Sequence, residues 1–516
     1  MPNRSSDALF QLVKSLEKSE KRNFKLYVKR NSTSEDLKII QLFDALDKME
    51  GYDEEQLLKR NKSIKKQQLS NAKAHLYRQI LSSLRLIHNE ENIDIQLHEQ
   101  LDHARILYNK GLYLQSLKVL DRIKENAKAN NQVTFLLQVL FFEKKIEALH
   151  ITRSMQDRAD RLAAEVDQVN EELGLMSKLS NLALQLYSWY IRNGLARNEK
   201  DEMAVQEFFE THIPPDLSRC EGFYERLYQY QSFCWYAFIR QDYLMYYRYT
   251  QKWVDLFDKE PFMIGVETAH YIKGLHNLLS AHFDLQNFQK FVEMLNKFEE
   301  FSHSAIVMHN HNNLIQTFIY LHISKLNRHF LDGTFTEGLA LVPYIEDKLK
   351  EFEIYLDRHR ILVFYYKIAC LYFGSGDYGR TIDYLNKIIN WRVDLRTDLQ
   401  CYSRLLHLIA HYELGNFQLL EYLTKSVYRF MAKMGNLSLV EEEIFAFIRK
   451  SFSLSAAQIR PEFEKLLEKL RTYEKNRFET RAFAYLDIIS WLESKIRNIP
   501  VQDVIREKYL TGNRRA

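Results

Sequence analysis

Apolar residues at helical spacing recur along the whole chain and divide it into segments. Ala8, Leu9, Phe10, Leu12, Val13 and Leu16 predict a first helix, and Phe24, Leu26, Tyr27 and Val28 a second. Thr33 with Asp36 three residues on predicts a capped start for a helix over 37–49, which Gly51 ends. Leu69, Ala72, Leu76, Ile80 and Leu84 form the apolar stripe of a longer helix. Farther on, the helices come as pairs around a recurring turn. Its form is an aromatic residue, a tight bend, and a second aromatic five residues after the first. The pairs are Tyr108 with Tyr113, Phe238 with Tyr243, Phe283 with Phe288, Phe330 with Phe335, Phe373 with Tyr378, and Tyr412 with Phe417.

The physical logic is clearest over 364–417. Gly376-Asp377 and Gly415-Asn416 join helix to helix. Glycine takes the positive φ that closes one helix, and Asp or Asn caps the next. The flanking rings then fold over the bend. Successive second aromatics lie 130, 45, 47, 43 and 39 residues apart. The first interval is close to three periods, so two further units are expected within 114–237, turning near 153–157 and 193–197. After Gly435 the pattern weakens into helices over 438–449, 462–473 (begun by Pro461) and 478–496, with a frayed tail from Tyr509.

Over 365–388, Tyr365, Ala369, Tyr372 and Tyr378 stand where a tetratricopeptide repeat has its early aromatic, its small residue, its mid-helix aromatic and its second-helix aromatic. The chain resembles that family over about 100–440. It departs in its longer unit and in the missing closing proline, and Thr381 and Leu420 fill small second-helix positions. The fold expected is therefore all-α, an α-solenoid of TPR-like helix–turn–helix repeats with a period of 39–47 residues and helical caps. About eight helix pairs should wind in a right-handed superhelix. The expected domains are a basic N-terminal helical region (1–90), a repeat array (91–437), and a degenerate repeat with capping helices (438–516).

Composition agrees with this. An average chain of this length would hold roughly 36 Gly and 26 Pro; this one has 15 and 7, too few turn-formers for a β-rich fold. The most apolar run, 361–373, is broken by Lys367, and the first residues carry no apolar leader, so a cytoplasmic, soluble protein without a membrane span is expected. The formal charge of +4 is uneven: residues 1–90 hold 18 Lys/Arg against 12 Asp/Glu. The four cysteines have no metal-ligand spacing and are expected as free thiols.

The sequence carries no phosphate-cradling or nucleophile-elbow motif, so no enzyme, cofactor or metal is expected. His282, His329 and His411 recur at one repeat position and would lie a unit apart, which assigns them to packing or hydrogen bonding rather than to shared ligation. The six first-position aromatics are expected between layers, the alternative being a ladder that lines the groove, and Tyr378 and Phe417 are expected in the core. The resemblance implies that first helices line a concave groove. Tyr228, Trp235, Tyr320, Asn327, Tyr366 and Tyr402 are the groove candidates for binding a protein or peptide, which makes a scaffold or adaptor the leading expectation. The alternative is a nucleic-acid-associated regulator gripping phosphate with Lys21, Arg22, Lys62, Lys65 and Lys66, its repeats recruiting a partner. Oligomeric state is left open.

Overall fold

The computed structural model describes residues 7–30, 34–60, 64–88, 92–150, 158–391, 397–435, 437–479 and 487–512. Every regular element among them is helical, and the fold is an all-α helical-repeat solenoid. None of the described helices is long and apolar enough to cross a membrane. The chain forms two compact units, Met1–Val169 and Asn170–Ala516. The division falls inside a 36-residue helix.

The first unit holds two cores. Helices α1 (Ala8–Ser15), α2 (Lys18–Arg30), α3 (Ser34–Asp47), α4 (Glu54–Arg60) and α5 (Lys66–Ile87) bury Leu9, Val13, Phe24, Phe43, Leu46, Leu76 and Ile80. Asp7 starts α1 by accepting from the Leu9 and Phe10 amides. Leu69, Leu76 and Ile80 of the expected α5 stripe are buried, with Ala72 and Leu84 at its margin. Thr33 lies outside the described residues. The second core joins α6 (Ile93–Asn109), α7 (Tyr113–Ala129), α8 (Val133–His150) and the first part of α9 (Arg158–Asn193) around Leu97, Leu101, Leu120, Val139 and Val166. Glu143 is buried there between Lys124 (3.1 Å) and Arg158 (2.7 Å), so its charge is compensated on both sides.

The second unit continues with α10 (Glu199–His212), then pairs α11 (Phe223–Ile239) with α12 (Tyr243–Lys259). Short α13 (Met263–Val266) leads to α14 (Thr268–Asp284) and α15 (Phe288–Ser302), and α16 (Ala305–Met308) to α17 (His311–Asp332). The helix opposite α17 is broken into α18 (Phe335–Gly338), a 3-10 turn and α19 (Val342–Glu351). Pro343, which has no amide hydrogen to give, sits in the first turn of α19. Next come α20 (Arg358–Ser375) with α21 (Tyr378–Ile389), and α22 (Thr397–Glu413) with α23 (Phe417–Lys433). Each pair packs on its successor, and the first helices α14, α17, α20 and α22 also touch side by side.

All six turns share one backbone device. The third residue after the first aromatic is left-handed: Gly111, Gln241, Gln286, Gly333, Gly376 and Gly415, with φ of 76°, 59°, 54°, 73°, 87° and 70°. Asp242, Asn287 and Asp377 then cap the next helix through their side chains. Asn416 does not, because its side-chain amide bonds His411 instead (2.9 Å). Four of the six aromatic pairs are in ring contact, at 5.4–6.1 Å. Phe373 and Phe335 are buried and the other ten rings are not fully so. Phe417, expected in the core, is 51% exposed. As the first residue of α23 it lies beyond the apolar face that Leu420, Thr424 and Val427 turn inward. The turn expected near 193–197 is present, with Gly194 left-handed at the end of α9; the one near 153–157 lies outside the described residues.

Two features depart from a simple linear stack. Residues after α9 reach the far part of the unit: Arg197 bonds the Gly435 carbonyl (3.4 Å) and Glu202 pairs with Arg477. And the C-terminal helices fold back. After α24 (Leu439–Ser451) and α25 (Ala456–Tyr473), which begins before Pro461 and contains it, come α26 (Ile488–Arg497) and α27 (Val501–Thr511). Helix α27 packs on α17 and α20. Arg506 donates to the Asp332 carbonyl (3.1 Å), and Trp491 and Lys495 donate to Glu413 at the end of α22 (2.6 and 2.8 Å). Tyr509, expected to fray, is helical and meets Phe288 edge-on (4.4 Å).

Candidate functional site

The heptad spacing that puts two side chains on one helix face, two turns apart, recurs in three first helices. Tyr228 and Trp235 stand so on α11, Tyr320 and Asn327 on α17, and Arg360 and Lys367 on α20. Helix α14 contributes His270, Lys273 and His276. Tyr228 is half-buried, edge-on to His270 (6.0 Å). Beside it Tyr224 donates to Glu267 (2.7 Å), which also holds His270 (2.8 Å). Trp235 is half-buried and stacks on Tyr190 (5.6 Å). The Lys273 ammonium lies 5.7 Å from its ring and 4.9 Å from that of Tyr320. Tyr320 is sandwiched further: His276 stacks on it (4.4 Å) and the Arg360 guanidinium lies 5.8 Å from its centroid. Asn327 accepts a hydrogen bond from Lys367 (2.6 Å).

Trp235 and Tyr320 thus share the Lys273 ammonium and Asn327 holds the Lys367 ammonium, while Tyr228 meets His270 and not this group. Tyr366 and Tyr402 do not line this face. They are 5% and 2% exposed, because α20 and α22 are covered on almost every side and these rings point into the core. Tyr320 and Asn327 are themselves nearly buried, under Lys273, Arg360 and Lys367.

The electrostatics of the set are one-sided. Burial pushes the Tyr320 phenol up, but Lys273 and Arg360 at its hydroxyl outweigh this and hold it below the usual tyrosine value. Burial pushes the His276 imidazole far below its ordinary range, and Lys273, Lys367 and Arg360 add to this. Its Nδ1 is buried with no hydrogen-bond partner. Burial lowers Lys367 to about 8, against some attraction from Cys370 and Asp284.

No family model, curated protein or solved structure matches this chain. The geometry therefore stands by itself.

Sequence reasoning passed over Lys273, His276 and Arg360, whose helical positions carry no motif. Lys367 was visible, as the one charge in the most apolar run of the chain. In the first unit, Lys21 is tied to Asp47 (2.7 Å), while Arg22, Lys65 and Lys66 are exposed and Lys62 lies outside the described residues. His329 and His411 each bond the residue five positions on, Thr334 (2.7 Å) and Asn416, pinning their turns. Among the described residues no group of three or more His, Cys, Asp or Glu side chains is placed to hold a metal ion.

Proposed function

We propose that the second unit is a non-catalytic scaffold that holds a protein or peptide segment along the shared face of its first helices. The observation that carries this is the half-buried Trp235, which shares the Lys273 ammonium with the buried Tyr320, with the half-buried Tyr228 two turns before it on α11. Large aromatic side chains of this kind supply most energy at interfaces. Helix packing fixes these groups in advance, which limits the entropy lost on binding. The nucleic-acid reading has less behind it, since Lys21 is already compensated by Asp47.

The test is selection from a displayed peptide library on the full chain, followed by titration of the enriched peptides. Trp235→Ala and Tyr228→Ala should each weaken binding about tenfold or more. Failure to enrich any sequence, or enriched peptides that bind both variants as well as the parent, refutes the reading.

A further inference from the structure

We propose that Lys273 and Arg360, with Lys367 behind them, form a binding site for a phosphate-type oxyanion beside the Tyr320 hydroxyl. This rests on the same face that the scaffold reading uses and names the chemistry it recognises.

Lys273 on α14 and Arg360 on α20 come from helices on opposite sides of α17, yet both reach the Tyr320 hydroxyl between them. Folding has brought two like charges together, which costs free energy unless an anion joins them. Among the described residues Lys273 has no carboxylate ion-pair partner; its ammonium lies against the Trp235 and Tyr320 rings and at the Tyr320 hydroxyl. Arg360 has one, Asp357 at 3.3 Å, on the exposed first turn of its own helix. Lys367 is bonded to the neutral Asn327 amide (2.6 Å) and feels Asp284 only at longer range. Burial first, and then all three cations, push down the His276 imidazole stacked against Tyr320, so it adds no anion to the group.

The donors favour phosphate over carboxylate. An ammonium, a guanidinium and a phenol hydroxyl approach from different helices, so they suit an acceptor with oxygens in several directions. A tetrahedral dianion offers three or four such oxygens and matches the charge. A single carboxylate offers two oxygens in one plane and one charge.

The experiment is calorimetric titration of the full chain with inorganic phosphate and with pyrophosphate at constant ionic strength, alongside citrate and chloride. Both phosphates should bind, and Lys273→Gln or Arg360→Gln should weaken them about tenfold or more. Lys273→Arg, which keeps the charge, should retain binding and guards against a folding defect. Lys290→Gln, on the exposed face of α15, should change nothing. Binding no stronger than chloride, binding indifferent to Lys273 and Arg360, or citrate matching phosphate would each overturn the site. If the selected peptides still depend on Trp235 while phosphate does not bind, the oxyanion site falls and the scaffold reading stands. The reverse result removes the scaffold alone.

Discussion

Gly374 gives the sharpest test of how the repeats are packed. A Cβ at this helical position would lie 2.1 Å from Cδ1 of Phe335 and 2.4 Å from Cε1 and Cγ, inside the ring of the preceding unit. Phe335 is itself buried and stacked on Phe330 (5.6 Å), so it has nowhere to retreat. An ordinary helical Gly→Ala change stabilises by roughly 0.5–1 kcal/mol. Here the added methyl must displace an aromatic ring, and overpacking of that kind costs about 1–3 kcal/mol. The two terms have opposite signs, and the second wins. Net of the gain the cost is about 0–2.5 kcal/mol, and with unfolding entropy near 2.1 cal/mol/K per residue the second unit, Asn170–Ala516, loses up to about 3 °C of Tm. Gly174 on α9 has nothing within 4 Å of its Cβ position and supplies the control: Gly174→Ala should raise Tm. Phe335→Ala alone should cost about 3–5 kcal/mol. Combined with Gly374→Ala it should cost less than the two single changes together, because the new methyl enters the space the ring vacated. Circular dichroism melts of the four variants decide the matter. A Gly374→Ala variant as stable as Gly174→Ala, or strict additivity in the double variant, refutes the close approach.

Three further expectations follow from single groups. Gln286 is held left-handed at φ 54° with no glycine to relieve it, so Gln286→Gly should raise stability by about 0.5–1 kcal/mol in the same melts. Burial lowers His322 and His407 to about 4, below the 6.5 of an unfolded histidine. Between those values the unfolded chain binds protons that the folded chain refuses. The stability they contribute is therefore complete above pH 6.5 and falls, by about 1.4 kcal/mol per pH unit for each, as pH drops towards 4; Tm against pH should flatten in His322→Gln. Trp491→Phe keeps an aromatic ring but is smaller and removes the indole donor to the Glu413 carboxylate (2.6 Å), and should cost at least about 1–3 kcal/mol in denaturant melts.

Much of this architecture was legible in the sequence because the turn is a local device. An aromatic, three residues to a left-handed position and two more to the next ring can be read without knowing what lies elsewhere. The device was still read too narrowly, as a glycine turn, since Gln241 and Gln286 adopt the same conformation. The exposure of Phe417 and the burial of Tyr366 and Tyr402 were not legible. Ring type and spacing give a face of the helix, whereas burial depends on which neighbours cover it. The cations around Tyr320 were hidden for the same reason. Lys273, Arg360 and Lys367 are scattered over 95 residues and meet only when α14, α17 and α20 are laid side by side. Lys367 alone left a trace, a charge where the apolar pattern had no need of one.

The folded-back C-terminal helices alter how this molecule should come apart. In an ordinary linear array each module leans only on its immediate neighbours, and unravelling can begin anywhere and spread one step at a time. Here a single strap at the end of the chain grips the bend after α17 through Arg506, the close of α22 through Trp491 and Lys495, and the opening of α15 through Tyr509. Three separate modules are fastened to one splint. Clipping the chain before Ile488 would release all of them at once, so a protease acting on that short terminal piece would govern the rigidity of a body several times its length.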